Sequence, residues 1–143
     1  MKVLVDTNIA LDVLLKQEPF FKDSFFIFQL ADSGVINGVL AAVSMTNIFF
    51  LLRKAKINSN EVYQLIDDLT AFFSIAPVTE TTVANALSLR WKDFEDAIQF
   101  VTAKENNVDY IITRNKADFK TSDIPCMSPT DFISFLKEKE LSE

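Results

Sequence analysis

Two short runs constrain this chain more than anything else in it. Residues 2–5 read KVLV and give way to Asp6, and residues 108–113 read VDYIIT and end on Thr113. A strand wet on one side alternates apolar with polar residues. A strand that is apolar on consecutive positions is buried on both faces, as in a parallel sheet covered by helices on each side.

The sequence between these runs reads largely as helix. Thr7 or Asn8 is placed to cap a helix over about 8–16. Pro19 opens a second helix that reaches Asp32, and Ser33-Gly34 stops it. A weaker strand, VINGVL at 35–40, is interrupted by Gly38. Ser44 or Thr46 begins a third helix, whose closing bases Arg53, Lys54 and Lys56 complement its dipole. Helices are predicted at 61–72, with Val62, Leu65, Ile66 and Leu69 on one stripe, at 79–89, and at 93–106, with Ala97, Ile98, Val101 and Thr102 facing inward. Short strands are predicted at 73–78 and 125–127, a loop at 114–123, and a last helix capped within 128–131 and ending near 139. Short strands alternating with helices over 143 residues predict one α/β domain, 1–143, with a mainly parallel central sheet.

Composition narrows the chemistry. The chain has no His and one Cys, Cys126, which excludes Ser-His-Asp and Cys-His nucleophile systems, His-ligated zinc and an internal disulfide. Carboxylates, hydroxyls, amides and Lys/Arg must carry any reaction. Asp and Glu outnumber Lys and Arg by 20 to 14, so the surface is not a general phosphate-binding coat. An acid appears by position 6, too early for a signal peptide's apolar stretch, and no apolar run is long enough to span a membrane. A soluble cytoplasmic protein with no membrane partner is the expectation.

In open α/β sheets, ligands bind beyond the carboxyl ends of the strands. The polar residues there are Asp6-Thr7-Asn8, then Ser44, Thr46 and Asn47, then Thr113, Arg114, Asn115 and Asp118. Asp93 and Asp96 open the helix before the late strand, and their i, i+3 spacing puts both carboxylates on one face. Oxygen ligands alone suit Mg²⁺ or Mn²⁺. Each residue also has a plainer use: Asp6 as a helix cap, Asp93 and Asp96 as partners of a helix dipole, Asp118 as a loop acid, and Thr113 and Asn115 as partners of loop backbone.

The segments VDTNI at 5–9, SMTNIFFLLRK at 44–54, DFEDAIQFVTAKENNVDYIITRN at 93–115 and DF at 118–119 together resemble a PIN domain over essentially the whole chain. Within that family the chain is similar to the stand-alone bacterial type, the toxin ribonucleases of toxin–antitoxin pairs. The resemblance implies a three-layer α/β/α sandwich and cleavage of RNA dependent on Mg²⁺ or Mn²⁺. It matches the strand-one acid to Asp6, the late-helix acid to Asp96, the family hydroxyl to Thr113, and the acid after the last long strand to Asn115 or Asp118. Where the family carries Glu at the start of the third helix, this chain has Asn47. A neutral amide attracts a cation less than a carboxylate does, so the resemblance implies a weakened site built on Asp6 and Asp96, with Asp93 and Asp118 to compensate and one ion favoured over two. Asn47→Glu is then expected to tighten metal binding.

Arg114 and Lys116, or the 53–56 bases, are candidates to hold the RNA backbone; otherwise they are solvated loop and helix-end charges. The alternative function is a weakened PIN-like module that binds RNA or a protein without cutting. A receiver or a haloacid-dehalogenase-like phosphatase matches less well, since position 8 is Asn and FSIAPV ends without an acid.

Most of the 14 Phe residues are expected in the core, with a partner surface as the second reading for one helix. The second helix offers Phe20, Phe21, Phe25, Phe26, Ile27, Phe28 and Leu30, more than one buried stripe holds. The surplus suits a homodimer or an antitoxin.

Overall fold

The computed structural model describes residues 1–119 and 121–142. Its five strands are β1 (Lys2–Val5), β2 (Asn37–Ala41), β3 (Ser74–Ala76), β4 (Tyr110–Ile112) and β5 (Cys126–Met127), all parallel, in the order β3-β2-β1-β4-β5. The helices are α1 (Thr7–Leu14), α2 (Phe21–Asp32), α3 (Ala42–Lys54), α4 (Ser59–Phe72), α5 (Glu80–Leu89), α6 (Phe94–Glu105) and α7 (Pro129–Ser142). The architecture is the expected three-layer α/β/α sandwich.

The consecutive apolar positions have the expected cause. Val3 and Val5 pack into one core with Ile9, Ile27, Ile48, Leu69 and Phe132, drawn from α1, α2, α3, α4 and α7. Leu4, pointing the other way, packs with Ala86, Ile98, Val101 and Ile111 under α5 and α6. Alternate residues of one strand thus serve two cores, so neither set can be polar. Burying a Val or Leu on each face contributes about 1.5–3 kcal/mol per side chain.

Several boundaries differ from the sequence reading. Residues 17–20 form a turn, with the Phe20 N–H on the Gln17 oxygen at 3.0 Å, so α2 begins at Phe21 rather than Pro19. The Val35 and Ile36 amides both donate to the Leu30 oxygen and close the end of α2, which delays β2 to Asn37. Gly38 does not interrupt that strand: a Cβ there would stand 2.5 Å from the Phe73 ring, so glycine permits a close approach inside it. The chain passes from β2 into α3 at Ala42, without a cap side chain, so Ser44 and Asn47 lie inside the helix. Asn58 caps α4 by accepting from the Glu61 amide at 3.0 Å, and Ser128 accepts from the Asp131 amide at 3.1 Å at the start of α7. Among the described residues, no helix is long and apolar enough to cross a membrane.

β1 occupies the centre of the sheet. The chain moves to one side of it through β2 and β3, then returns to its other side with β4. The order therefore reverses at the carboxyl end of β1, where open α/β sheets leave a crevice for ligands.

Candidate active site

Asp6 stands at that reversal point, directly after β1, and is only 3% exposed. It is the residue preceding α1, but its carboxylate makes no capping hydrogen bond. It is held from two other elements. The Thr113 hydroxyl, just past β4, donates to its Oδ2 at 2.8 Å, and Gln99 Nε2 of α6 donates to its Oδ1 at 3.2 Å. Burial pushes the Asp6 pKa up, and these two bonds, with the nearby Asn8 and Thr7 amides, pull against that rise.

The first turn of α6 brings three more acids. Asp93 is the N-cap and accepts from the Asp96 amide at 3.0 Å, so its capping role, one of the two readings open from sequence, is present. Asp96 is buried, and its pKa is pushed up to about 7 by burial first, then by the charges of Asp93, Asp6, Asp118 and Glu95. Glu95 is half-buried and accepts a hydrogen bond from Asn47 Nδ2 on α3. Burial raises its pKa, the Asn47 bond opposes the rise, and the Asp6 and Asp93 charges add to it. Asp93, Asp96 and Asp118 line one cleft of about 400 Å³ with Arg90, Trp91, Lys92, Ala117 and Thr121.

The acids drawn from opposite ends of the chain therefore share one electrostatic environment. Asn115 and Asp118 are both exposed after β4, where the expected loop instead holds a short 3₁₀ helix, Lys116–Phe119, that carries Asp118, and the Asn115 amide donates to the Thr113 hydroxyl at 3.1 Å. Among the described residues, no three acids form a ready-made ligand cluster for an ion. The donor chemistry nevertheless fits a hard divalent cation: it is entirely oxygen, and the acids raise one another's pKa. The Gln99 Oε1, buried beside Asp6, has no hydrogen-bond partner among the described residues.

Both cations nominated from the loop are engaged elsewhere. Arg114 grips the fully buried Asp12 of α1 through Nε at 2.8 Å and a terminal guanidinium nitrogen at 3.1 Å, and its guanidinium lies 3.9 Å over the Phe20 ring. Arg114 is thus a tie between the loop and the helical layer. Lys116 pairs with Asp131 at 2.6 Å, an exposed and weakly held contact. Arg53 donates to the Ile57 oxygen at 2.8 Å and closes the end of α3.

Glu95 and Gln99 were not singled out in the sequence. The i, i+3 relation selected Asp93 and Asp96. The i, i+4 relation from Glu95 to Gln99 marks the adjacent, inward face and is the signal that could have found both.

The PIN domain family model matches residues 2–117. The chain belongs to the PIN domain family. "Ribonuclease VapC1" of Aquifex aeolicus (strain VF5) is 24% identical over 136 residues, a match that covers 92% of this chain and 92% of that protein. VapBC2 from Rickettsia felis, solved bound to a DNA fragment from its promoter, matches with a TM-score of 0.69 at 15% identity, over 90% of this PIN domain chain and 98% of that one. VapBC-1 from nontypeable Haemophilus influenzae matches with a TM-score of 0.69 at 18% identity, over 91% and 99%. These solved structures share the fold.

Proposed function

We propose that this PIN domain is a metal-dependent endoribonuclease, the toxin of a toxin–antitoxin pair. The observation that carries the reading is Asp6: a carboxylate buried at the reversal point of the sheet, clamped by Thr113 and Gln99, with the acids of α6 beside it. Support comes from its similarity to a named ribonuclease and from solved neighbours that include a toxin–antitoxin complex from Klebsiella pneumoniae.

Asp6 and Asp96 would hold Mg²⁺ or Mn²⁺, assisted by Asp93 or Asp118. When bound, such an ion supplies activation of water and neutralisation of phosphate charge. Thr113 and Gln99 orient Asp6. Asp93, by capping α6, fixes the turn that carries Asp96. Arg90 and Lys92 line the Asp96 cleft and are better placed than Arg114 to meet an RNA phosphate. An antitoxin and a second copy of the chain are the expected protein partners.

Calorimetric titration of Mn²⁺ into wild type and an Asp6→Asn/Asp96→Asn pair tests the reading, alongside cleavage of a labelled RNA. Wild type should release heat and cut, and the pair should do neither. Equal heats would sink the metal site. Binding without cleavage would favour the alternative, a PIN-like module that holds RNA or protein.

A further inference from the structure

The first turn of α6 carries its side chains in an unexpected order. Phe94 is 46% exposed, whereas Glu95 beside it turns toward the interior. A helix ordinarily sends the acid out and the aromatic in. Four and seven residues on from Glu95, Gln99 and Thr102 have no exposure at all, so Glu95 heads the most buried face of α6. An acid serving only the helix dipole has no reason to occupy that face, because solvent-exposed positions of the first turn interact with the dipole equally well.

Glu95 ends against one particular side chain. Its Oε2 accepts from Nδ2 of Asn47, the α3 residue at which the family resemblance calls for an acid. A second observation points to the same spot. Gln99, on the Glu95 face, donates to Asp6 at 3.2 Å and leaves its buried Oε1 without a partner among the described residues.

We infer that Glu95 supplies, from α6, the metal-binding carboxylate that Asn47 does not supply from α3, with Asn47 as the donor that positions it. This rests on the metal-site reading above. It also changes the expectation for Asn47→Glu. That substitution alone sets one carboxylate against another and removes the amide donor, so it weakens the fold instead of strengthening the site. The acid moves back to α3 only when Glu95 is neutralised at the same time.

The test is Mn²⁺ calorimetry on Asp6→Asn, Glu95→Gln, Asn47→Glu and the Asn47→Glu/Glu95→Gln swap, each first melted in EDTA to establish folding. Glu95→Gln keeps an acceptor for Asn47, and Glu95→Ala provides the same comparison should the Gln variant fold poorly. The expected result is at least about a tenfold loss of Mn²⁺ affinity in Glu95→Gln. Asn47→Glu alone should melt below wild type, and the swap should regain most of the lost affinity. Wild-type affinity in Glu95→Gln, with loss in Asp6→Asn, would overturn the role of Glu95 and leave the site reading standing. A folded swap as weak as Glu95→Gln would overturn the exchange of positions. Unchanged binding in Asp6→Asn as well would remove the site reading, and Glu95 with it.

Discussion

Asp96 holds its proton far more readily when folded than when unfolded, since burial and four neighbouring acids raise its pKa from 3.8 to about 7. A carboxyl shifted upward stabilises the fold fully below its unfolded pKa, and that contribution is lost as pH rises through the folded value. The metal-free protein should therefore lose stability between about pH 4 and pH 7. Asp96→Asn removes the ionisation, so its melting temperature in EDTA should exceed wild type at pH 8 and fall more gently across the same range. Thermal melts at pH 5 and pH 8 measure this, and identical slopes for the two proteins would refute it. The same substitution should abolish Mn²⁺ binding, so stability and function are expected to oppose each other at this residue.

Elements hold the site through ties between layers. Asp12 of α1 is fully buried, accepts from Ser24 of α2 at 3.1 Å and receives Arg114 in a two-pronged grip. That arrangement fixes the loop after β4, which carries Thr113 and Asn115, against the helical layer. Arg114→Ala strands a buried carboxylate and should cost about 3–5 kcal/mol in urea unfolding, while the apolar pair Asp12→Leu/Arg114→Met should cost much less. A small loss from Arg114→Ala alone would show the guanidinium to be dispensable. RNA affinity measured on a folded Arg114→Lys variant should stay near wild type, because Asp12 already engages this cation.

For the whole molecule, the surplus of Phe on α2 divides by exposure, with the half-buried Phe21 stacked on Phe25 at 5.6 Å. Ile27, Phe28 and Leu30 are buried, while Phe20, Phe25 and Phe26 are each close to 40% exposed. Phe20 serves Arg114, so Phe25 and Phe26 remain as the outward pair, facing a cleft of about 560 Å³ shared with Ile133 and Lys137 of α7. Covering the exposed part of each ring in a two-fold dimer would contribute about 1 kcal/mol. Light scattering across a concentration series should show Phe25→Ser/Phe26→Ser monomeric where wild type associates, with little change in melting temperature. A wild type that stays monomeric at high concentration would refute the dimer.

The chain's own pattern determined the sheet and its layers. Apolar residues on consecutive positions at 3–5, set between Lys2 and Asp6, fit a strand covered on both sides, and local spacing identified the inward stripes of α4 and α6. The positions of Asp6, Thr113, Asp93 and Asp96 also followed from sequence, because strand ends and helix starts are local features. Tertiary structure alone decided what those residues touch. Glu95 meets Asn47 across 48 positions of chain, and Asp12 meets Arg114 across 102. Such partners depend on how two helices are rotated about their axes, and on which strand returns beside β1. No local signal encodes either, since rotation and return are settled by burying both cores at once.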